Sequence, residues 1–189
     1  MDWEGIVRDD GPEVWRAAYR LLGNEADADE CFQEAFAAAL EFSRRNQPVR
    51  HWRAFLIRLA SAKAIDRLRQ RISRKTREAP GAMVNVLADD RPNSRPSDQA
   101  EQAEQSARRR LALTHLPPKQ ADAFCLHCLE GYSYREVAEQ LGASVDDVGV
   151  LLHRARAALR ERIAWIISSE VGQSLNRIVS PSSTDEVSK

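Results

Sequence analysis

Residues 133–163 read S-Y-R-E-V-A-E-Q-L-G-A-S-V-D-D-V-G-V-L-L-H-R-A-R-A-A-L-R-E-R-I. Ser133, with Glu136 three positions on, has the form of a capping box at a helix start. Val137, Ala138 and Leu141 give that helix one apolar face, and Gly142 supplies the left-handed residue that closes it. Ser144 and Asp147 repeat the cap. Val148, Leu152, Ala155, Leu159 and Ile163 then follow at helical spacing. Helix, glycine-containing turn, helix is the plan in which the second helix enters the major groove of DNA. An ordinary helical hairpin inside a bundle has the same local pattern, so the rest of the chain must decide.

The chain has 189 residues, enough for one or two small domains, and 43% of them are hydrophobic. Only 8 Gly and 8 Pro, with many Ala, Leu, Arg and Glu, point to an all-α protein. No apolar run is long enough for a membrane span. The start, M-D-W-E-G-I-V-R-D-D, is acidic and lacks an apolar signal core, so the expected location is the cytoplasm. Three cysteines, Cys31, Cys125 and Cys128, are an odd number and read as reduced thiols.

Formal net charge is zero, whereas a simple DNA binder is usually basic. The neutrality hides segregation. Glu25, Asp27, Asp29, Glu30, Glu34 and Glu41 form an acidic block. Arg50, Arg53, Arg58, Lys63, Arg67, Arg69, Arg71, Arg74, Lys75 and Arg77 form a basic one, interrupted by Asp66. Separate faces for a protein partner and for phosphate fit this pattern. The competing reading is that the two blocks pair with each other.

Along the chain, Val14, Ala17, Ala18, Leu21 and Leu22 make an apolar stripe that ends at Gly23-Asn24. Residues 27–42 predict a second helix with its acids early, which suits the positive end of the helix dipole. Residues 46–48 predict a loop, and residues 50–74 a third helix. Phe55, Leu59, Ala62, Ile65, Leu68 and Ile72 are its expected buried stripe. Lys63, Arg67, Arg71 and Arg74 lie on another face with few acidic i,i+4 partners, which favours a phosphate track. From 78 to 107 the chain is Pro-rich or polar and reads as a linker. Pro117-Pro118 separates a short leading helix from a helix over 119–129. Beyond residue 168, Val171, Leu175 and Ile178 suggest a short amphipathic helix and then a polar end. The expected organisation is an N-terminal domain over 1–77, a flexible linker over 78–107, a second helical domain over 108–167 and an extension over 168–189.

Two blocks carry a family likeness. D-A-D-E-C-F-Q-E-A-F at 27–36 leads to W-R-A-F-L-I-R-L-A-S-A-K-A-I-D-R-L-R-Q-R at 52–71. The second block is the helix-turn-helix with the L-T-H-L-P-P-K-Q-A-D-A-F-C-L-H-C-L-E-G that precedes it. In this order, with a linker between, the chain resembles the extracytoplasmic-function sigma factors of bacterial RNA polymerase. The resemblance implies that residues 1–77 bind core polymerase and melt the −10 element, and that 108–167 read the −35 element. Asp29, Glu30, Gln33 and Glu34 would then meet the β′ clamp helices. Trp52, Arg58, Lys63, Arg67, Arg71 and Arg74 would meet −10 DNA. His153, Arg154, Arg156 and Arg160 would meet −35 DNA. Trp52 and Phe55 offer stacking surface worth about 1–3 kcal/mol per base, although core packing is the simpler reading of Phe55. The implied partners are core RNA polymerase (β′ clamp and β flap), promoter DNA and an anti-sigma factor, with no cofactor. The acidic linker would thread toward the polymerase active-site channel.

The chain departs from the family pattern in two places. Ser61 and Ala62 stand where the melting helix commonly has Arg-Asn. In the recognition helix Gly149 and Leu151 replace a Lys and an Arg, and Asp146 and Asp147 stand at its start. Each lost phosphate contact removes about 0.9 from the log–log salt slope, so −35 binding is expected to be weak and flat in salt, or the −35 element unusual. Leu151 is also a candidate for an apolar partner surface.

Other classes fit less well. A stand-alone helix-turn-helix regulator with an N-terminal sensory domain remains the alternative. No phosphate loop or nucleophile–base arrangement points to an enzyme. Cys125-x-His127-Cys128 has a spacing zinc can use, but zinc needs four ligands and His127 leaves the face the two thiols share. Cys31, His115 or His153 would have to complete the set, and small core thiols are the reading adopted.

Overall fold

A computed structural model describes residues 2–45, 48–78 and 98–179. The regular elements among them are all helical: α1 (Trp3–Leu22), α2 (Glu25–Arg44), α3 (Trp52–Glu78), α4 (Asp98–Leu113), α5 (Pro118–Phe124), a π-turn (Cys125–Leu129), α6 (Tyr134–Leu141) and α7 (Val145–Val179). None is long and apolar enough to cross a membrane.

Helices α1–α3 form one unit. The α1 stripe of Val14, Ala17, Ala18, Leu21 and Leu22 is buried as its spacing predicts. Asp2 caps the helix start, and Gly23 closes it at φ 68°. Helix α2 buries only small residues, Ala28, Cys31, Ala35 and Ala39, so it can lie close to its neighbours. The α3 stripe is wider than the expected one. Phe55, Ile65 and Leu68 are buried, while Leu59, Ala62 and Ile72 are half-buried. Ala54, Leu56, Ile57, Ala60, Ser61 and Ala64 are buried as well. The cause is that α3 is covered twice, by α1 and α2 on one side and by α5 and the π-turn on another.

Helices α4–α7 form the second unit. Helix α4 begins at Asp98, inside the stretch expected to be linker. The polar run there consists of good helix formers. It is laced by i,i+4 contacts: Gln105 to Glu101 at 3.4 Å, Arg108 to Glu104 at 2.6 Å and Arg109 to Gln105 at 3.2 Å. The rest of the expected linker, 79–97, lies outside the described residues, as do positions 46 and 47 of the expected loop. The helix expected over 119–129 divides: Pro118 opens α5, and Cys125–Leu129 widens into the π-turn. Helix α7 continues without a break to Val179, so the extension is not a separate helix up to that point. The polar end expected beyond it lies outside the described residues.

The helix-turn-helix has the expected local chemistry. Ser133 and Glu136 form the reciprocal capping box, and Gly142 closes α6 in the left-handed region at φ 59°. Ser144 N–H and hydroxyl donate to Asp147 at 3.1 and 2.7 Å, and Asp147 N–H donates back to Ser144 Oγ at 3.0 Å. Those bonds hold the Asp147 carboxyl below its ordinary pKa, as those to Ser133 do for Glu136.

The two units pack on each other rather than hanging apart on a tether. Arg20 donates to Leu129 O and pairs with Glu130 at 2.9 Å. Arg69 donates to Thr114 O at 2.9 Å and Leu116 O at 2.8 Å. Gln140 Nε2 donates to His51 O at 3.3 Å.

Candidate polymerase and promoter interface

The acidic and basic blocks meet along α2 and α3. Arg67 pairs with Glu30 at 2.5 Å, Glu34 at 2.7 Å and Asp27 at 3.5 Å. Lys63 lies 3.4 Å from Glu34, and Arg71 pairs with Asp27. Burial disfavours the Arg67 cation, yet the hydrogen bonds it donates to Glu34 and Glu30 hold its pKa above the ordinary guanidinium range. The same contact with Arg67 lowers the Glu34 pKa. The intramolecular pairing weighed in the sequence is therefore present for Lys63, Arg67 and Arg71. A steric reason lies in the small residues of α2, which bring the two helices close enough for side chains to bridge. Arg74 is exposed and makes no hydrogen bond or ion pair among the described residues. Arg53 is also paired, with Asp10 at 2.8 Å and Glu13 at 3.0 Å.

Of the four α2 side chains implied in polymerase binding, Asp29, Glu30 and Gln33 are exposed and Glu34 is half-buried. Asp29 accepts a hydrogen bond from Trp15 Nε1 at 2.6 Å, which fixes its carboxylate beside Val7, Pro12 and Phe32. Sequence reasoning missed this α1 contribution, because no spacing rule joins residues on two helices.

Trp52 is half-buried, edge-on to Trp3 at 5.2 Å and to Phe55 at 5.8 Å. Phe55 is 5% exposed, so it is a core residue in this arrangement. Arg58 lies over the Phe55 ring at 5.4 Å, with a buried Nε that has no hydrogen bond among the described residues. Asp122 of α5 faces it across the unit boundary. Burial raises the Asp122 pKa, and Arg58 opposes the rise. Ser61 is buried against Cys125, whose thiol burial pushes up to about 12. In this packing, part of the α3 surface implied in −10 binding therefore lies under the second unit.

On α7, His153, Arg154, Arg156 and Arg160 are all exposed. Arg156 Nη2 lies 3.6 Å from Cys128 Sγ, and Arg160 Nε donates to Arg156 O at 3.2 Å. Leu151 is half-buried and packs on the core, so it offers less partner surface than its identity suggests. His127 Nδ1 bonds Tyr132 O at 2.7 Å, while Cys31 and Cys125 are buried. Among the described residues, no group of three or more His, Cys, Asp or Glu side chains is placed to hold a metal ion.

Comparison with known proteins defines the class. Residues 6–74 match Sigma-70 region 2, and residues 109–159 match Sigma-70 region 4. The chain is 33% identical over 172 residues to ECF RNA polymerase sigma factor SigE of Mycolicibacterium smegmatis, covering 91% of itself and 65% of that protein. It is 30% identical over 163 residues to RNA polymerase sigma-E factor of Streptomyces coelicolor, covering 86% of each. ECF RNA polymerase sigma factor SigW of Bacillus subtilis is 27% identical over 158 residues. The sigma factor RpoE of Bartonella quintana, solved in complex with the anti-sigma factor NepR, shares the fold at TM-score 0.51 and 19% identity. That match covers 86% of this chain and 97% of the other. The chain belongs to the extracytoplasmic-function RNA polymerase sigma factors, which are non-catalytic initiation factors.

Proposed function

We propose that this chain binds core RNA polymerase and directs it to promoters, acting in the cytoplasm and performing no chemistry of its own. The observation that carries the reading is the order of its parts. An exposed acidic and amide surface on α2 (Asp29, Glu30, Gln33) precedes a helix-turn-helix whose α7 arginines are open to solvent. The first surface suits a basic protein partner, and the second suits phosphate.

Residues 6–74 serve as the polymerase-binding and −10 unit, and 109–159 as the −35 unit. Lys63, Arg67 and Arg71 act in −10 binding only after exchanging their carboxylate partners for phosphate. Arg74 needs no such exchange. An anti-sigma protein is a further proposed partner, supported by the RpoE–NepR complex. The test is capture of the tagged chain from bacterial lysate at ordinary ionic strength, with no inhibitor present. Co-purification of β′ supports the reading, and its absence refutes it.

A further inference from the structure

We propose that Asp146 and Val150 of α7 read the −35 duplex through cytosine amino and thymine methyl groups, not through guanine acceptors. The inference rests on the sigma-factor reading above.

Asp146, Val150 and His153 fall at steps of four and three along α7, opposite the buried stripe of Val148, Leu152, Ala155 and Leu159. Val150 is 47% exposed, so its methyl groups are open to a partner on the outward face. The neighbouring positions are engaged elsewhere. Asp147 is held in the Ser144 cap. Gly149 faces α6, where an added Cβ would lie 3.9 Å from Tyr134. Leu151 packs on the core. Asp146 makes no hydrogen bond or ion pair among the described residues, so its carboxylate is available at the N-terminal end of the outward face.

The chemistry of that face selects bases. A carboxylate only accepts hydrogen bonds. It suits the N4 amino group of cytosine and is repelled by the N7 and O6 acceptors of guanine. A valine suits the C5 methyl of thymine. The commonest specific contact, Arg or Lys to guanine, has no side chain at Asp146, Val150 or His153 to make it. His153 can donate or accept one bond and discriminates less. Arg154, Arg156 and Arg160 are exposed beside this face and provide the complement to phosphate, so a duplex is the occupant that the charges favour. Asp146 weakens non-specific attraction to DNA while its preferred partner offsets that loss, which raises specificity at modest affinity.

Holoenzyme reconstituted from this chain and core RNA polymerase tests the inference on duplexes randomised at −35. Selected duplexes should carry thymine and cytosine at the positions facing α7. Replacing those thymines by deoxyuridine, which removes only the methyl group, should weaken binding by about fivefold. Val150→Ala should abolish the difference between thymine and deoxyuridine, and Val150→Leu should keep it. Asp146→Asn should lose the cytosine preference. Chain-dependent selection in which deoxyuridine is neutral and Asp146→Asn picks the same element overturns this inference alone. No chain-dependent selection at all overturns the sigma-factor reading along with it.

Discussion

Glu34 and Arg67 lie 2.7 Å apart, joining the helix proposed to meet polymerase with the helix proposed to meet DNA. With Glu30, Asp27, Lys63 and Arg71 they form a network across α2 and α3. Because Glu34 is partly exposed, water screens the attraction. A double-mutant cycle of Glu34→Gln and Arg67→Gln should give a coupling of about 0.5–1 kcal/mol. Urea unfolding measures it, and additive effects would show that the pair is incidental.

Arg69 donates to two carbonyls, Thr114 O and Leu116 O, and so ties α3 to the end of α4. Arg69→Met keeps much of the apolar stem but leaves both oxygens without that donor. The expected cost is about 1–3 kcal/mol. Hydrogen exchange in α4 should accelerate, and an unchanged exchange pattern would contradict the assignment.

His115 gives the packing a pH dependence. Leu111 O can only accept, so Nδ1, 3.0 Å away, carries the proton and Nε2 accepts from Arg162 at 2.6 Å. Burial, assisted by Arg162 and Arg69 and opposed by the Leu111 carbonyl, lowers the His115 pKa from its ordinary 6.5. A depressed folded pKa means that the stabilisation is present above the unfolded value near 6.5 and is lost as pH falls through the lower folded one. The melting temperature should drop between about pH 7 and pH 5 more in the wild type than in His115→Gln. Parallel pH profiles for the two proteins would refute this.

Gln33→Ala with Glu34→Ala should weaken core-polymerase binding at least tenfold, about 1.4 kcal/mol. The helical circular dichroism signal should persist, because neither side chain lies in the apolar core. Unchanged affinity by titration would remove these residues from the interface.

The local parts of this fold were legible because their signals are local. Ser133, Glu136 and Gly142 determine α6 through bonds within one turn of helix, and Val14 to Leu22 announce their buried face by spacing alone. Relations between helices were not legible. Pairing of the α3 basic row with the α2 acids was one of two readings the charge pattern left open. Which acid each of Lys63, Arg67 and Arg71 meets was not legible, nor that Arg69 would serve carbonyls near α4. The helix start at Asp98 was hidden because its side chains are polar all round and lack an apolar stripe. The break in α5 comes from a π-turn that residue identity does not announce. Of the candidate site, the exposed face of α7 was readable from periodicity, while the covering of Ser61 by Cys125 required the packing of both units.

Multiple-round run-off transcription with purified core polymerase, over a promoter library, tests the central claim most directly. Specific transcripts should appear only when this chain is added and should vanish with the Gln33/Glu34 double alanine variant. The same transcripts from core polymerase alone, or none with the chain present across the library, would contradict the account.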